Sequence, residues 1–172
     1  MIDATDDASV RAAPERTCPR GALRSILVVD DDADIRQLLA ELLRLTGYRP
    51  FTAASGVEAL ARLDTAVPPP SLVLLDVQMP ELDGWDTLRE IRSRPELGHL
   101  AVVLCTVKSS PGDLALGWSL GCDGFVVKPF AISDLIAEVD EVLALPPDGR
   151  RHRRAAAALE LAASIPPSID LT

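Results

Sequence analysis

Long apolar runs are missing from this sequence. The longest aliphatic stretches have the length of a β-strand, so no membrane span is indicated. The N-terminus, MIDATDDASVRAAPER, is acidic, dotted with arginine and without an apolar core, which excludes a secretory signal. Cysteine is scarce as well. Cys18, Cys105 and Cys122 are odd in number and lack metal-ligand spacing, which excludes a disulfide framework and a zinc site and fits a reducing, cytoplasmic setting. Cys105 and Cys122 read as small buried apolar residues. Basic side chains are outnumbered, 17 against 26 acids, for a net charge of -9. Residues 1–24 hold four arginines against four acids and residues 146–172 four against three. That leaves 25–145 with 19 acids, nine basic residues and a net charge of -10. Such a segment repels nucleic acid unless its charge is shielded, and it suits a divalent cation.

What is present is 48% hydrophobic residues over 172 positions, enough for one domain with a proper core and two tails. The chain is organised around Ser71 to Asp86, SLVLLDVQMPELDGWD. Here an aliphatic run stops at Asp76 and turn chemistry follows at Met79-Pro80 and Asp83-Gly84. That pattern reads as a buried parallel strand with a carboxylate at its C-terminal end. Ile26 to Val29 repeats the pattern, stopped by Asp30-Asp31-Asp32, of which Asp32 and Asp34 suit the cap and first turn of a helix.

A helix follows, carrying Ile35, Leu38, Leu39, Leu42, Leu43 and Leu45 and ended by Gly47. Residues 50–54 predict a short strand, and Gly56 to Thr65 a helix with Val57, Leu60, Ala61 and Leu63 inward. Pro68-Pro69-Pro70 predicts an extended lead into the central strand. Gly84 to Ser93 predicts a helix with Trp85, Leu88 and Ile91 inward. Ala101 to Thr106 is a fourth strand, Gly112 to Leu120 a weak helix, and Gly124 to Val127 a fifth strand ending in Lys128-Pro129. Ile132, Leu135, Ile136, Val139, Val142 and Leu143 mark the last helix of the domain. Five alternating βα units make a parallel sheet with helices on both faces.

In such a sheet one edge presents Asp30, Asp31, Asp76, Thr106 and Lys128, where open α/β sheets bind ligands. A cap, a turn former, a strand-end threonine and a surface lysine would each explain one position. Their concurrence on one edge points to a site. Three carboxylates raise one another's pKa unless a cation intervenes, and Mg²⁺ suits an all-oxygen set that leaves room for water and phosphate. A carboxylate beside Mg²⁺ and a lysine is equipped to accept a phosphoryl group as an acyl phosphate.

Residues 25–145 resemble the receiver domain of bacterial two-component response regulators, through ILVVDDDADIRQLL, LVLLDVQMPELDGWDTLREIR, VVLCT and GCDGFVVKPF. The resemblance implies a flavodoxin-like (βα)5 fold, a doubly wound parallel sheet of strand order 2-1-3-4-5 in three αβα layers. It implies that Asp76 is the phosphoacceptor and that Asp31, Asp76 and the Gln78 carbonyl ligate Mg²⁺. Asp30 would hold a metal-bound water, and Lys128 would pair with the phosphoryl group. The Lys128-Pro129 peptide is expected to be cis. Thr106 and Phe125 match the family's switch pair. Gln78 and Lys108 occupy positions that tune phosphoryl lifetime. Val107 departs from the usual Ala or Gly, and its β-branch is expected to slow phosphotransfer or hydrolysis.

The implied donor is a sensor histidine kinase or a phosphotransfer protein. The receiver would catalyse only its own phosphorylation and dephosphorylation and signal to a downstream protein target. The face built from the fourth helix, fifth strand and fifth helix, Asp113 to Leu145, is the expected homodimer or partner surface. Residues 1–24 read as a disordered leader. Residues 146–172 are too few for a helix-turn-helix output domain, so a stand-alone regulator without DNA-binding domain is expected. The basic run Arg150 to Arg154 reads as a solvated extension of the last helix, with docking as the sharper alternative, and His152 as a surface residue. The Ala-Leu stretch after it suits a short docking helix. Two other readings are a pseudo-receiver that works without phosphorylation and a Mg²⁺-dependent phosphatase with an aspartate nucleophile, of the haloacid dehalogenase type. The second would need a first-strand DxDx motif followed by Thr or Val, which Asp30-Asp31-Asp32-Ala33 does not supply.

Overall fold

The computed structural model describes residues 23–164, so the leader to residue 22, with Cys18, and the end from residue 165 lie outside the described residues. The strands are β1 (Ser25–Val29), β2 (Arg49–Ala53), β3 (Leu72–Asp76), β4 (Ala101–Thr106) and β5 (Gly124–Val127). They form one parallel sheet in the order β2-β1-β3-β4-β5. Between them run α1 (Ala33–Leu45), α2 (Gly56–Thr65), α3 (Gly84–Ser93) and α4 (Pro111–Leu120), then α5 (Ile132–Ala144) and α6 (Pro147–Ser164). This is the expected flavodoxin-like topology.

The strand period of two divides the core. Leu27, Val29, Val73, Leu75, Val102 and Leu104 face α2, α3 and α4, while Ile26, Val28, Leu72, Leu74 and Val103 face α1 and α5. Since β3 and β4 are covered on both faces, they read as unbroken aliphatic runs. Each of these side chains contributes about 1.5–3 kcal/mol on burial.

Helix starts are set by side-chain caps. Asp32, Ser55, Asp83 and Ser110 each accept a backbone N–H of the following turn. The inward faces of α1 and α2 are rotated from those expected. In α1 the buried residues are Leu39, Ala40 and Leu43, and Leu38 and Leu45 are exposed. In α2 they are Gly56, Ala59 and Leu63, so Val57 and Ala61 point outward. Gly56 fixes that rotation, because a Cβ there would lie 2.1 Å from Thr87 Oγ1 of α3. Only the small residue lets α2 seat so closely. The Lys128-Pro129 peptide is cis as expected, and Val67-Pro68 is cis as well.

The largest departure follows α5. The basic run is not a solvated extension of that helix. Leu145 is extended and Pro146-Pro147 forbids continuation, so the chain turns and α6 packs along α4. Along α6, Arg150, Arg153, Arg154, Ala157, Ala158 and Leu161 form the inward stripe, at the spacing of one helix face. Leu159 points out, 74% exposed. His152 is on the outer face, as read from sequence.

Candidate functional site

Parallel strands bring their C-terminal ends together, and with them the residues that sequence reading placed there. Asp76 closes β3, Asp30 and Asp31 follow β1, Thr106 closes β4 and Lys128 follows β5. Asp30 and Asp76 are 2% and 5% exposed, whereas Asp31 is exposed to solvent. One carboxylate oxygen from each of the three lies within 4.8 Å of the others. Lys128 Nζ donates to Asp30 Oδ2 and to Asp76 Oδ1, each at 3.0 Å. The other Asp30 oxygen accepts from the Asp32 amide at 2.9 Å, and Arg36 donates to the Asp30 carbonyl at 2.7 Å. These bonds hold the Asp30 carboxylate toward the cluster.

The loop after Asp76 is held equally closely. Gly84 donates its N–H to Val77 O at 3.0 Å, and a Cβ on Gly84 would lie 2.3 Å from the Asp76 carbonyl oxygen. Any larger residue at 84 would push the start of α3 off the strand end and open the site. Gln78 and Lys108 have exposed side chains at the rim, and Val107 beside them is 52% exposed. Thr106 is fully buried, and its hydroxyl accepts from the Lys108 amide at 2.9 Å. Phe125 is half-buried, with its ring edge-to-face on Trp118 at 5.6 Å between centroids. It uses the space that a Cβ on Gly117 would take, which would lie 2.3 Å from Phe125 Cζ.

Three carboxylates and one ammonium leave an excess of negative charge. Burial raises the Asp76 pKa above the ordinary carboxylate range, Lys128 works against that, and Asp30 adds to it. Burial would lower the Lys128 pKa, but hydrogen bonds to Asp30 and Asp76 more than reverse it, so it is raised. A second cation would relieve the remaining repulsion. An all-oxygen set with one exposed member fits a hard divalent ion that keeps part of its water, as Mg²⁺ does.

The sequence profile of the response regulator receiver domain matches residues 26–140. The chain belongs to the response regulator receiver family. This receiver is 40% identical over 121 residues to the transcriptional regulatory protein CpxR of Klebsiella pneumoniae, over 70% of this chain and 50% of that one. A CpxR homolog of Haemophilus influenzae matches at 40% over 121 residues, 70% of this chain and 51% of its own. The receiver chain thus spans about half the length of these curated relatives. Among solved structures it is similar to the chemotaxis protein CheY4 of Vibrio cholerae, 31% identical with a TM-score of 0.67, over 70% of this chain and 99% of that. The response regulator DrrB of Thermotoga maritima, an OmpR/PhoB homolog, is 30% identical with a TM-score of 0.63, over 72% of this chain and 54% of that. Among the described residues, no helix of the receiver is long and apolar enough to cross a membrane.

Sequence reasoning missed a third buried carboxylate in this receiver. Asp123, 0% exposed, lies just before β5 at the opposite edge of the sheet. It accepts from the Val102 amide at 2.8 Å and pairs with Arg92 of α3 at 3.0 Å and Arg154 of α6 at 2.7 Å, with Arg150 at 3.6 Å. An Asp before a strand carries no signal by itself. The only hint was the surplus of arginines in the run after α5.

Proposed function

We propose that this receiver accepts a phosphoryl group on Asp76 from a phosphohistidine of a sensor histidine kinase or a phosphotransfer protein, with Mg²⁺ as cofactor, and that the acyl phosphate controls an interaction surface. The observation that supports it most directly is Lys128 Nζ at 3.0 Å from both Asp30 and Asp76, with Asp31 alongside. A carboxylate oxygen of Asp76 attacks phosphorus, an O–P bond forms, the N–P bond to the donor histidine breaks, and the imidazole leaves. Asp31, Asp76 and the Gln78 carbonyl would hold Mg²⁺, with Asp30 on a bound water. Mg²⁺ there would neutralise charge on the transferred oxygens.

The remaining work falls to this chain's own residues. Lys128, already shared between two carboxylates, moves onto a phosphoryl oxygen without leaving Asp30. The Thr106 hydroxyl turns to donate to another oxygen, and Phe125 takes the space it vacates. Hydrolysis returns the chain to its starting form, so the receiver acts catalytically on itself alone. Val107, half-exposed beside Thr106, crowds the approach of the donor or of water, and Val107→Ala should speed transfer or hydrolysis. Unchanged rates in that variant would remove Val107 from the account.

The test is intact mass after incubation with acetyl phosphate and Mg²⁺. One added phosphoryl group, absent in Asp76→Asn and without Mg²⁺, is the expected result. A folded protein that gains none from acetyl phosphate or from a phosphohistidine donor would be a phosphorylation-independent binding module. Sustained turnover of a phosphate ester would instead make it a phosphatase.

A further inference from the structure

The face of α4, β5 and α5, open to partners on the sequence reading, carries the chain's own α6, which packs along α4 and reaches α5 through Arg153. Arg154 Nε and a terminal nitrogen reach Asp123 Oδ1 at 2.9 and 2.7 Å. Arg150, 8% exposed, donates to the carbonyls of Leu145 at 2.8 Å and His99 at 2.6 Å. Arg153 donates to both Glu138 oxygens at 2.9 and 3.1 Å, and its guanidinium carbon lies 5.8 Å from the centre of the Trp118 ring. The small Ala157 and Ala158 continue that stripe, and α6 lies along α4. Its inward face is therefore cationic, and the groove beneath offers Asp123, Glu138, Glu141 and an aromatic ring.

Two of the groups that hold Arg153 also hold the switch aromatic. Glu138 Oε1 accepts the Phe125 amide at 3.2 Å, and Trp118 packs edge-to-face on the Phe125 ring. Phe125 lies on β5, paired with Leu104 of β4, two residues from Thr106. The ring cannot change place without disturbing Trp118 or the helix at Gly117, where there is no room for even a Cβ. Packed elements of this kind switch between discrete arrangements rather than deform smoothly.

We propose that α6 is a cis-acting latch on the α4–β5–α5 face: it covers that face while Asp76 is unphosphorylated, and re-seating of Phe125 on phosphorylation loosens it. The inference rests on the reading of Asp76 as phosphoacceptor. Because coupling is reciprocal, releasing the latch must favour the phosphorylated form by the factor by which phosphorylation favours release.

Hydrogen exchange read by mass spectrometry on the full chain tests this, with intact mass taken from the same samples. With acetyl phosphate and Mg²⁺, exchange in residues 147–164 should accelerate about fivefold or more, the low end of ordinary allosteric coupling. Arg153→Ala, at a position 23% exposed on the outer helix, should speed α6 exchange before phosphorylation and tighten binding of beryllofluoride, a non-covalent phosphoryl mimic, up to about fivefold. A mass adduct with unchanged α6 exchange, or unchanged beryllofluoride affinity in Arg153→Ala, overturns the latch alone. No adduct overturns the phosphoacceptor reading and the latch with it.

Discussion

Two buried clusters, each built on an aspartate, sit at opposite edges of the same sheet with inverted charge. At the C-terminal edge Asp30, Asp31 and Asp76 share Lys128 as cation. At the N-terminal edge Asp123 alone is shared by Arg92, Arg150 and Arg154. The first cluster is short of positive charge and has an exposed member, so it leaves room for an added cation. The second is oversupplied, closed and tied to backbone carbonyls. Burial and then Arg154 pull the Arg92 pKa down to about 10, which still leaves it charged at neutral pH. An unsatisfied cluster marks chemistry, and an overdetermined one marks architecture.

If that contrast holds, the largest effect comes from the closed cluster. Asp123→Asn strands three guanidiniums and should cost about 3–5 kcal/mol in urea unfolding, the usual result of removing one partner of a buried ion pair. A cost near zero would end the comparison. At the open edge the first lever is the cation: at a hundredfold excess over its Kd, Mg²⁺ should stabilise the fold by about 2.7 kcal/mol. That shift in thermal unfolding should vanish in Asp31→Asn, whose side chain is exposed and has little packing to lose.

A smaller effect should run in the opposite direction to the Asp123 change. Without Mg²⁺, Asp76→Asn should be more stable than wild type at neutral pH, because the folded-state pKa of Asp76 is raised, mainly by burial. Its contribution is fully present below the unfolded carboxylate pKa and is lost as pH rises through the raised value. The advantage of the variant should therefore disappear in acid, where both side chains are neutral.

The smallest change calibrates the others at a site that shares the open edge but lies outside its carboxylate cluster. Glu58 accepts the Ala54 amide at 2.7 Å and pairs with Arg62, and these, in that order, lower its pKa. Being exposed, Glu58→Gln should cost only about 0.5 kcal/mol. That loss is present above the ordinary glutamate pKa and fades as pH falls through the lowered one.

The open edge was legible in sequence because its information is local. An aliphatic run that ends in Asp, Thr or Lys says where a strand stops, and parallel topology then collects the stops. The closed edge was not legible, because Asp123 finds Arg154 31 residues away. In α6 the usual hydrophobic cue misleads: Leu159 faces water, while Arg150, Arg153 and Arg154 face the protein. The spacing of Arg150, Arg153 and Arg154 with Ala157 and Ala158 was the available signal, one face of a helix written in charge and small residues. In α2 the period was right but the phase was set by Gly56 against Thr87, a contact between helices that no single segment encodes.

Arg92 binds Asp123 and also donates to the carbonyls of Gly121 at 2.8 Å and Leu100 at 2.9 Å. It thereby pins the C-terminal end of α4, while the other end begins at Ser110, just beyond Thr106. Any turn of the helix would have its fulcrum at Gly121. A ten-residue helix is about 15 Å long, so a pivot of roughly 10° at that fulcrum swings the end near the site by about 2.6 Å. A rotation too slight to disturb the pinned end is thus magnified into a displacement comparable with the length of a hydrogen bond, and α6, lying along the arm, meets it as a shear.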